Sequence, residues 1–170
     1  SQQCALLWVG VEATTLASAP LIYFHRTRRS LEAMWKYLLI CSVGIAIALL
    51  GILFLAVAHN NQSGMLLSGL LTDATTLNVT WLKAAFLLLF VGYGTKMGLA
   101  PLHTWLPDAH SEAPSVVSAL LSGALLNCAF LGIIRIYQIC IAAGLQEFCQ
   151  EVFVFFGLLS VLFAAAFILR

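Results

Sequence analysis

Residues 38–58 read LLICSVGIAIALLGILFLAVA, a run of 21 residues without one charged side chain. A helix that crosses the hydrocarbon core of a bilayer needs about 20 mainly apolar residues. The run lacks the alternation of polar and apolar residues, with a period of two, that is typical of a membrane β-barrel strand. It therefore predicts a transmembrane α-helix.

Apolar segments of similar length lie on both sides of this run. With the central span extended to 33–58, the others are at roughly 4–24, 81–100, 115–141 and 148–169. The sequence predicts an all-α, polytopic transmembrane helical bundle of about five spans. We interpret residues 1–170 as part of one membrane domain from a longer protein, because Ser1 is not a methionine and Arg170 directly follows an apolar run.

The composition excludes several classes of function. Hydrophobic residues make up 62% of the 170 residues and charged residues only 9%, against about a quarter charged in soluble domains. The net charge of +1 provides no basic surface that could neutralise the phosphates of a nucleic acid. The five cysteines have no CxxC spacing, so we expect neither a zinc nor an iron–sulfur site. No haem, flavin or nucleotide motif is present, and we expect no cofactor in this chain.

The basic residues predict an orientation. Arg26, Arg28, Arg29 and Lys36 lie in or beside the first connection, whereas the second connection, 59–80, has no lysine or arginine. Connections rich in lysine and arginine stay in the cytoplasm. The first connection and the connection at 101–114 are therefore predicted to be cytoplasmic, and Arg170 returns at the same side.

Two charged residues, Glu12 and Lys96, lie inside predicted spans. Such a group costs roughly 2.5–3.5 kcal/mol at mid-bilayer on insertion scales, so it must face the bundle interior, a partner or water. Their charges are opposite, and they could approach each other if the first and third spans pack together. A switchable pair of this kind could load and release protons. The alternatives are a static buried ion pair and, for Lys96, a long stem that reaches the interface.

A helix break is predicted beside Lys96. Gly98 and Pro101 follow it closely, and proline removes a backbone donor and clashes with the preceding turn. Broken helices at membrane depth are tolerated where they line a cavity or are buried in protein. We therefore expect the third span to be broken near Lys96–Pro101. An ordinary proline stop at a helix end is the alternative.

Further polar residues follow the break. Ser122 and Asn127 in the fourth span could line a channel and relay protons, or could hydrogen-bond to neighbouring helices. His103 and His110 in the connection could collect protons for uptake or form a structural cap. Their spacing is not that of a zinc protease, so we expect no metal site. Trp105 indicates an anchor at the membrane interface.

Residues 96–114 form the run KMGLAPLHTWLPDAHSEAP. It resembles the signature of the antiporter-like, proton-translocating membrane subunits of respiratory complex I, Mrp-type antiporters and membrane-bound energy-converting hydrogenases. The resemblance extends back through the Glu12 span and forward to Arg135. Residues 8–20, 33–37 and 118–135 are most similar to component F of the hydrogenase-4 type.

The resemblance implies roles for residues of this chain. Glu12 and Lys96 correspond to the ionisable glutamate of the fifth span and the lysine of the broken seventh span. The five spans would be the fifth to ninth of about fourteen, with a second half-channel beyond Arg170. This chain departs from the family pattern at two places. Gly98 occupies a position where complex I relatives often have proline. Asn127 and Ser122 lie near positions where relatives often have lysine or histidine.

The resemblance also implies a setting. We expect an integral, multi-pass protein of a prokaryotic inner (plasma) membrane that moves protons, or sodium, within a redox-driven pump. Its partners would be other membrane subunits and soluble iron–sulfur subunits of the hydrogenase or dehydrogenase type, which would carry the electron chemistry.

Two other functions are open. Residues 91–94 read VGYG and match most of a potassium filter, but Phe90 replaces the filter's threonine and Lys96 would repel cations. The second is a structural scaffold that anchors redox subunits in the membrane and moves no protons.

Overall fold

The computed structural model describes residues 3–60 and 66–169, and within these ranges the chain is helical without a β-strand. The all-α prediction is thus confirmed. A π-helical segment, Leu121–Leu125, joins the helical pieces Ser115–Leu120 and Leu126–Ala142. The helices are α1 (Cys4–Ile22), α2 (Arg28–Ala58), α3 (Leu67–Thr72), α4 (Val79–Met97), α5 (Trp105–Glu112), α6 (Ser115–Leu120), α7 (Leu126–Ala142) and α8 (Gln146–Ile168).

Four helical segments are long and apolar enough to cross a membrane, as an integral membrane protein requires: Cys4–His25, Arg28–Ala58, Ser115–Ala142 and Gln146–Ala166. The predicted third span, 81–100, forms α4, which is not among them. Its two lysines, Lys83 and Lys96, lower its mean hydropathy. Because α4 packs along α2, we retain its crossing of the membrane as a prediction.

The contact between α2 and α4 depends on small residues. Gly44, Ala48 and Gly51 lie on one face of α2, and Gly92 of α4 faces them. A Cβ atom added to Gly92 would lie 2.6 Å from both the backbone nitrogen of Ala48 and the carbonyl oxygen of Gly44. Small residues at such seams let two helix backbones approach closely in a membrane. This seam fixes the position of the C-terminal part of α4 against α2.

We expect Gly92→Ala to destabilise the protein by about 1–3 kcal/mol, the usual cost of overpacking, because its methyl group would collide with the α2 backbone. The measurement is heat-induced unfolding of the purified full-length subunit in detergent. Gly10→Ala is the control, because nothing lies within 4 Å of the Cβ position at Gly10. Equal unfolding temperatures for both variants would contradict the close α2–α4 seam.

The predicted break after Lys96 is present, and a glycine forms it. Gly98 adopts the left-handed conformation at φ +84°, which glycine tolerates without strain. The amide of Leu99 donates to the Gly94 carbonyl at 2.8 Å, and that of Gly98 donates to the Thr95 carbonyl at 3.2 Å. This pair of bonds is the Schellman motif that closes a helix. The chain resumes as α5 at Trp105, so the segment predicted to be a connection contains a short helix.

An ion triad joins the beginning of α2 to α5. The amine of Lys36 lies 2.7 Å from a carboxylate oxygen of Glu32 and 2.8 Å from one of Asp108. The first connection and the 101–114 connection therefore lie at the same end of the bundle, as the positive-inside prediction requires. Arg170, the remaining basic residue of that prediction, lies outside the described residues.

Candidate functional site

Lys96 is fully buried, with 0% of its surface exposed. It occupies the last turn of α4, where the partial negative charge of the helix end favours a cation. Its amine donates a hydrogen bond to the hydroxyl oxygen of Tyr37 at 2.7 Å. The side chain therefore points into the bundle, so the interpretation that it reaches the interface is wrong for this structure.

Tyr37 continues the contact from α4 to α1. This residue of α2 is fully buried, and its hydroxyl oxygen lies 2.7 Å from that of Ser18 on α1. Ser18 in turn donates to the backbone carbonyl of Thr15 at 3.2 Å. Polar side chains of three different helices thus form one buried cluster around the Lys96 amine.

Glu12 lies on α1 and is half-buried. Its Oε1 atom accepts a hydrogen bond from Ser42 of α2 at 3.4 Å. Its Oε2 atom is buried and has no hydrogen-bond partner in the described part of the chain. The packing of α1 on α2 is fixed one turn earlier by Trp8, whose indole donates to the Ile45 carbonyl at 2.8 Å. Glu12 therefore holds a carboxylate oxygen available for a further partner.

Glu12 and Lys96 form no ion pair within residues 3–60 and 66–169. The two helices that carry them, α1 and α4, both pack extensively on α2. Residues of α1 and α4 line one cavity together, among them Leu7 and Tyr93, but the Glu12 carboxylate and the Lys96 amine do not come within ion-pair distance. A static ion pair between these residues is likewise not what holds the helices together here.

Ser122 and Asn127 do not reach Lys96 in this structure. Both are exposed, and both hydrogen-bond to their own helix. The Ser122 hydroxyl donates to the Ala119 carbonyl at 3.2 Å, and the Asn127 amide donates to the Gly123 carbonyl at 2.5 Å. Ser122 also lies in the π-helical segment, a feature often found at functional sites. Their role as relay or channel lining remains a prediction.

The two histidines have different surroundings. His110 of α5 is half-buried, and its Nδ1 atom lies 2.6 Å from the hydroxyl of Ser118 on α6. His103 lines a crevice of about 290 Å³ between the helix break and α8, beside Gly98 and Ser160. A cluster of three or more metal-ligating side chains is not found in the described ranges.

Trp105 corrects one prediction from the sequence. It is fully buried, so the proposed interfacial anchor is wrong. Its indole nitrogen donates to the Thr95 carbonyl at 2.9 Å, and its ring centroid lies 5.1 Å from that of Tyr37. Sequence reasoning missed both aromatic residues as neighbours of Lys96. The available signal was the helical spacing of Tyr37, Cys41 and Gly44 on one buried face of α2.

The potassium-filter match at residues 91–94 lies inside α4. Its carbonyl oxygens are engaged locally: Val91 accepts from the Thr95 hydroxyl at 2.8 Å, and Gly94 accepts from the Leu99 amide at 2.8 Å. A filter needs carbonyls that replace the hydration shell of an ion. A helical segment buried against α2 does not present its carbonyl oxygens to an ion. The structure is therefore inconsistent with the channel interpretation.

Comparison with known proteins shows the family to which the chain belongs. The family model described as "NADH:quinone oxidoreductase/Mrp antiporter, TM" matches residues 1–170. The chain is 40% identical over 171 residues to a hydrogenase-4 component F homolog of Methylacidiphilum infernorum, covering 97% of the chain and 36% of that protein. It is 36% identical over 139 residues to NADH-quinone oxidoreductase subunit N of Deinococcus radiodurans, covering 82% of the chain and 28% of that protein.

A third relative is archaeal. The F(420)H(2) dehydrogenase subunit N of Methanosarcina mazei is 36% identical over 162 residues, covering 93% of the chain and 32% of that protein. The chain thus spans about a third of the length of these curated relatives.

Proposed function

Because the chain belongs to the NADH:quinone oxidoreductase/Mrp antiporter transmembrane family, we propose that it is part of a membrane subunit of a redox-driven proton pump. Within that subunit, Glu12 and Lys96 carry protons through a half-channel. Electron transfer belongs to partner subunits, of the hydrogenase or dehydrogenase type that the relatives' names indicate. The membrane is a prokaryotic inner membrane, since these relatives are bacterial and archaeal.

One observation carries the proposal: within the described residues the fully buried Lys96 amine forms no ion pair, and a buried Glu12 carboxylate oxygen has no hydrogen-bond partner. Isolated charges in an apolar interior cost several kcal/mol each. A group that only held helices together would be paired, or replaced by an apolar residue. Ionisable groups kept separate and inside the bundle are suited to taking up and releasing a proton.

The break at Gly98 supports the same proposal. It ends α4 two residues after Lys96, so irregular backbone begins next to this residue in the chain. A crevice of about 290 Å³ reaches this break from the α8 side. Irregular backbone at membrane depth is tolerated where it lines a cavity. Water in this crevice would give protons a route toward the end of α4.

The test is proton translocation by the full-length parent complex in liposomes, measured with a pH-sensitive dye during electron transfer. The proposal expects internal pH to change with turnover, and expects this change to depend on Glu12 and Lys96. Redox turnover with no pH change, in the presence and absence of sodium, would favour the scaffold function. A sodium-dependent ion flux in place of a pH change would make sodium the transported ion.

A further inference from the structure

The surroundings of the Lys96 amine are aromatic. The nitrogen lies 4.3 Å from the centroid of the Tyr37 ring and 5.9 Å from that of Trp105. Since it also lies 2.7 Å from the Tyr37 hydroxyl oxygen, it sits over the hydroxyl end of that ring. A cation within about 6 Å of an aromatic face is attracted by the ring quadrupole. We call Tyr37 and Trp105 together the aromatic cradle.

The hydrogen bonds beyond Tyr37 have a single direction when Lys96 donates. The Thr15 carbonyl can only accept, so Ser18 must donate to it. Ser18 then accepts from the Tyr37 hydroxyl, which itself accepts from Lys96. A proton passed along this chain would reach a backbone carbonyl, which cannot hand it on. The chain therefore orients the Tyr37 oxygen toward the amine and does not conduct protons.

The helix break brings Trp105 next to Lys96. Trp105 is held by its bond to the carbonyl of Thr95, the residue that precedes Lys96. It begins α5, and this helix is tied to α2 through the ion pair between Asp108 and Lys36. Lys36 adjoins Tyr37 in sequence, so both rings of the cradle are anchored at the same place on α2.

We propose that Tyr37 and Trp105 are positioning residues that hold the Lys96 side chain in a resting position between proton transfers. In this position it is surrounded by uncharged groups and lies apart from Glu12. This inference rests on the proposed function. In this position the ammonium is stabilised by an oxygen and two ring faces, none of which carries a charge. A carboxylate partner would hold the proton on the Lys96 ammonium more tightly. The uncharged cradle instead lets the Lys96 side chain move away when Glu12 or a neighbouring group attracts it.

The test is Tyr37→Phe in the full-length parent complex, which keeps the ring and removes only the hydroxyl. Lys96 then loses its hydrogen bond to the Tyr37 hydroxyl and keeps its contact with the Cys41 thiol. We expect proton translocation at neutral pH to fall about tenfold, since a charge-assisted bond is lost. The alkaline side of the pH profile should move to lower pH by about one unit. The titratable side chains that act on this amine are Tyr37 and Cys41 of α2 and Glu12 of α1.

Tyr93→Phe is the matched control. Tyr93 is a buried tyrosine of α4 whose ring packs against Gly132. Tyr93→Phe therefore tests the general cost of removing a buried tyrosine hydroxyl. It should leave the pH profile in place. If Tyr37→Phe does not assemble, Ser18→Ala serves instead, because it removes the acceptor that orients the Tyr37 hydroxyl. It should move the profile in the same direction by a smaller amount.

Two outcomes separate this inference from the proposed function. If Lys96→Met stops translocation but Tyr37→Phe and Ser18→Ala leave both the rate and the pH profile unchanged, the cradle is overturned and the half-channel stands. If Lys96→Met leaves translocation intact, the proposed function itself fails. A profile shift that is equal in Tyr37→Phe and Tyr93→Phe would also overturn the cradle.

Discussion

Lys96→Met is expected to reduce proton translocation by the full-length complex by about two orders of magnitude, the usual contribution of a positioned proton-transfer group. Methionine is unbranched and of similar length, so it fills the space of the lysine stem beside Tyr37 and Trp105. Because the amine forms no ion pair within residues 3–60 and 66–169, the substitution should leave no buried charge unpaired there and should not prevent assembly. The measurement is dye-reported pH change per electron transferred.

Lys83→Met is the control for this first prediction. Lys83 lies on the same helix, and its amine also rests over an aromatic ring, at 5.0 Å from the centroid of Phe148. It is at the opposite end of α4 from the break. Translocation should be close to that of the wild type. A similar loss in both variants would mean that removing any lysine from α4 impairs the complex, and the role of Lys96 would be refuted.

Glu12→Gln is expected to have the second largest effect, a fall in translocation of roughly ten- to a hundredfold. Glutamine has nearly the same shape and keeps an oxygen that can accept from Ser42, but it cannot take up or release a proton near neutral pH. The half-channel would then lack one of its two proton-carrying groups. Translocation and redox turnover are measured on the same preparation, so a loss of coupling is distinguished from a loss of complex.

Glu151→Gln provides the matched comparison, since Glu151 lies on an exposed face of α8, beside Glu147 and Val154. It should translocate at the wild-type rate. Glu12→Asp offers a second check, because it restores an ionisable group with a shorter reach and should recover part of the activity. If Glu12→Asp and Glu12→Gln behaved alike, ionisation at this position would be irrelevant.

The structure qualifies how the two groups can work together. Glu12 and Lys96 form no ion pair with each other in this structure. A proton passing between them needs either a movement of the Lys96 side chain out of the aromatic cradle or intervening water. A static ion pair, by contrast, would have needed neither. We therefore expect the separation seen here to be the resting arrangement of the proposed pair between transfers.

Several features were readable from the sequence alone because each depends on local composition. The uncharged run at 38–58 predicted α2, and the low charge content predicted an all-helical membrane protein. The glycine and proline after Lys96 predicted the break that ends α4. Glu12 and Lys96 stood out because charged residues are rare at membrane depth.

What surrounds Lys96 was decided by tertiary structure. Tyr37 lies 59 residues before it, Trp105 follows a break, and Ser18 belongs to a third helix. Nothing in the local pattern says which helix faces which, because in lipid an apolar side chain is equally well placed against a helix or a fatty chain. The small-residue seam at Gly44, Ala48 and Gly92 makes that choice, and with it the partner of the buried amine.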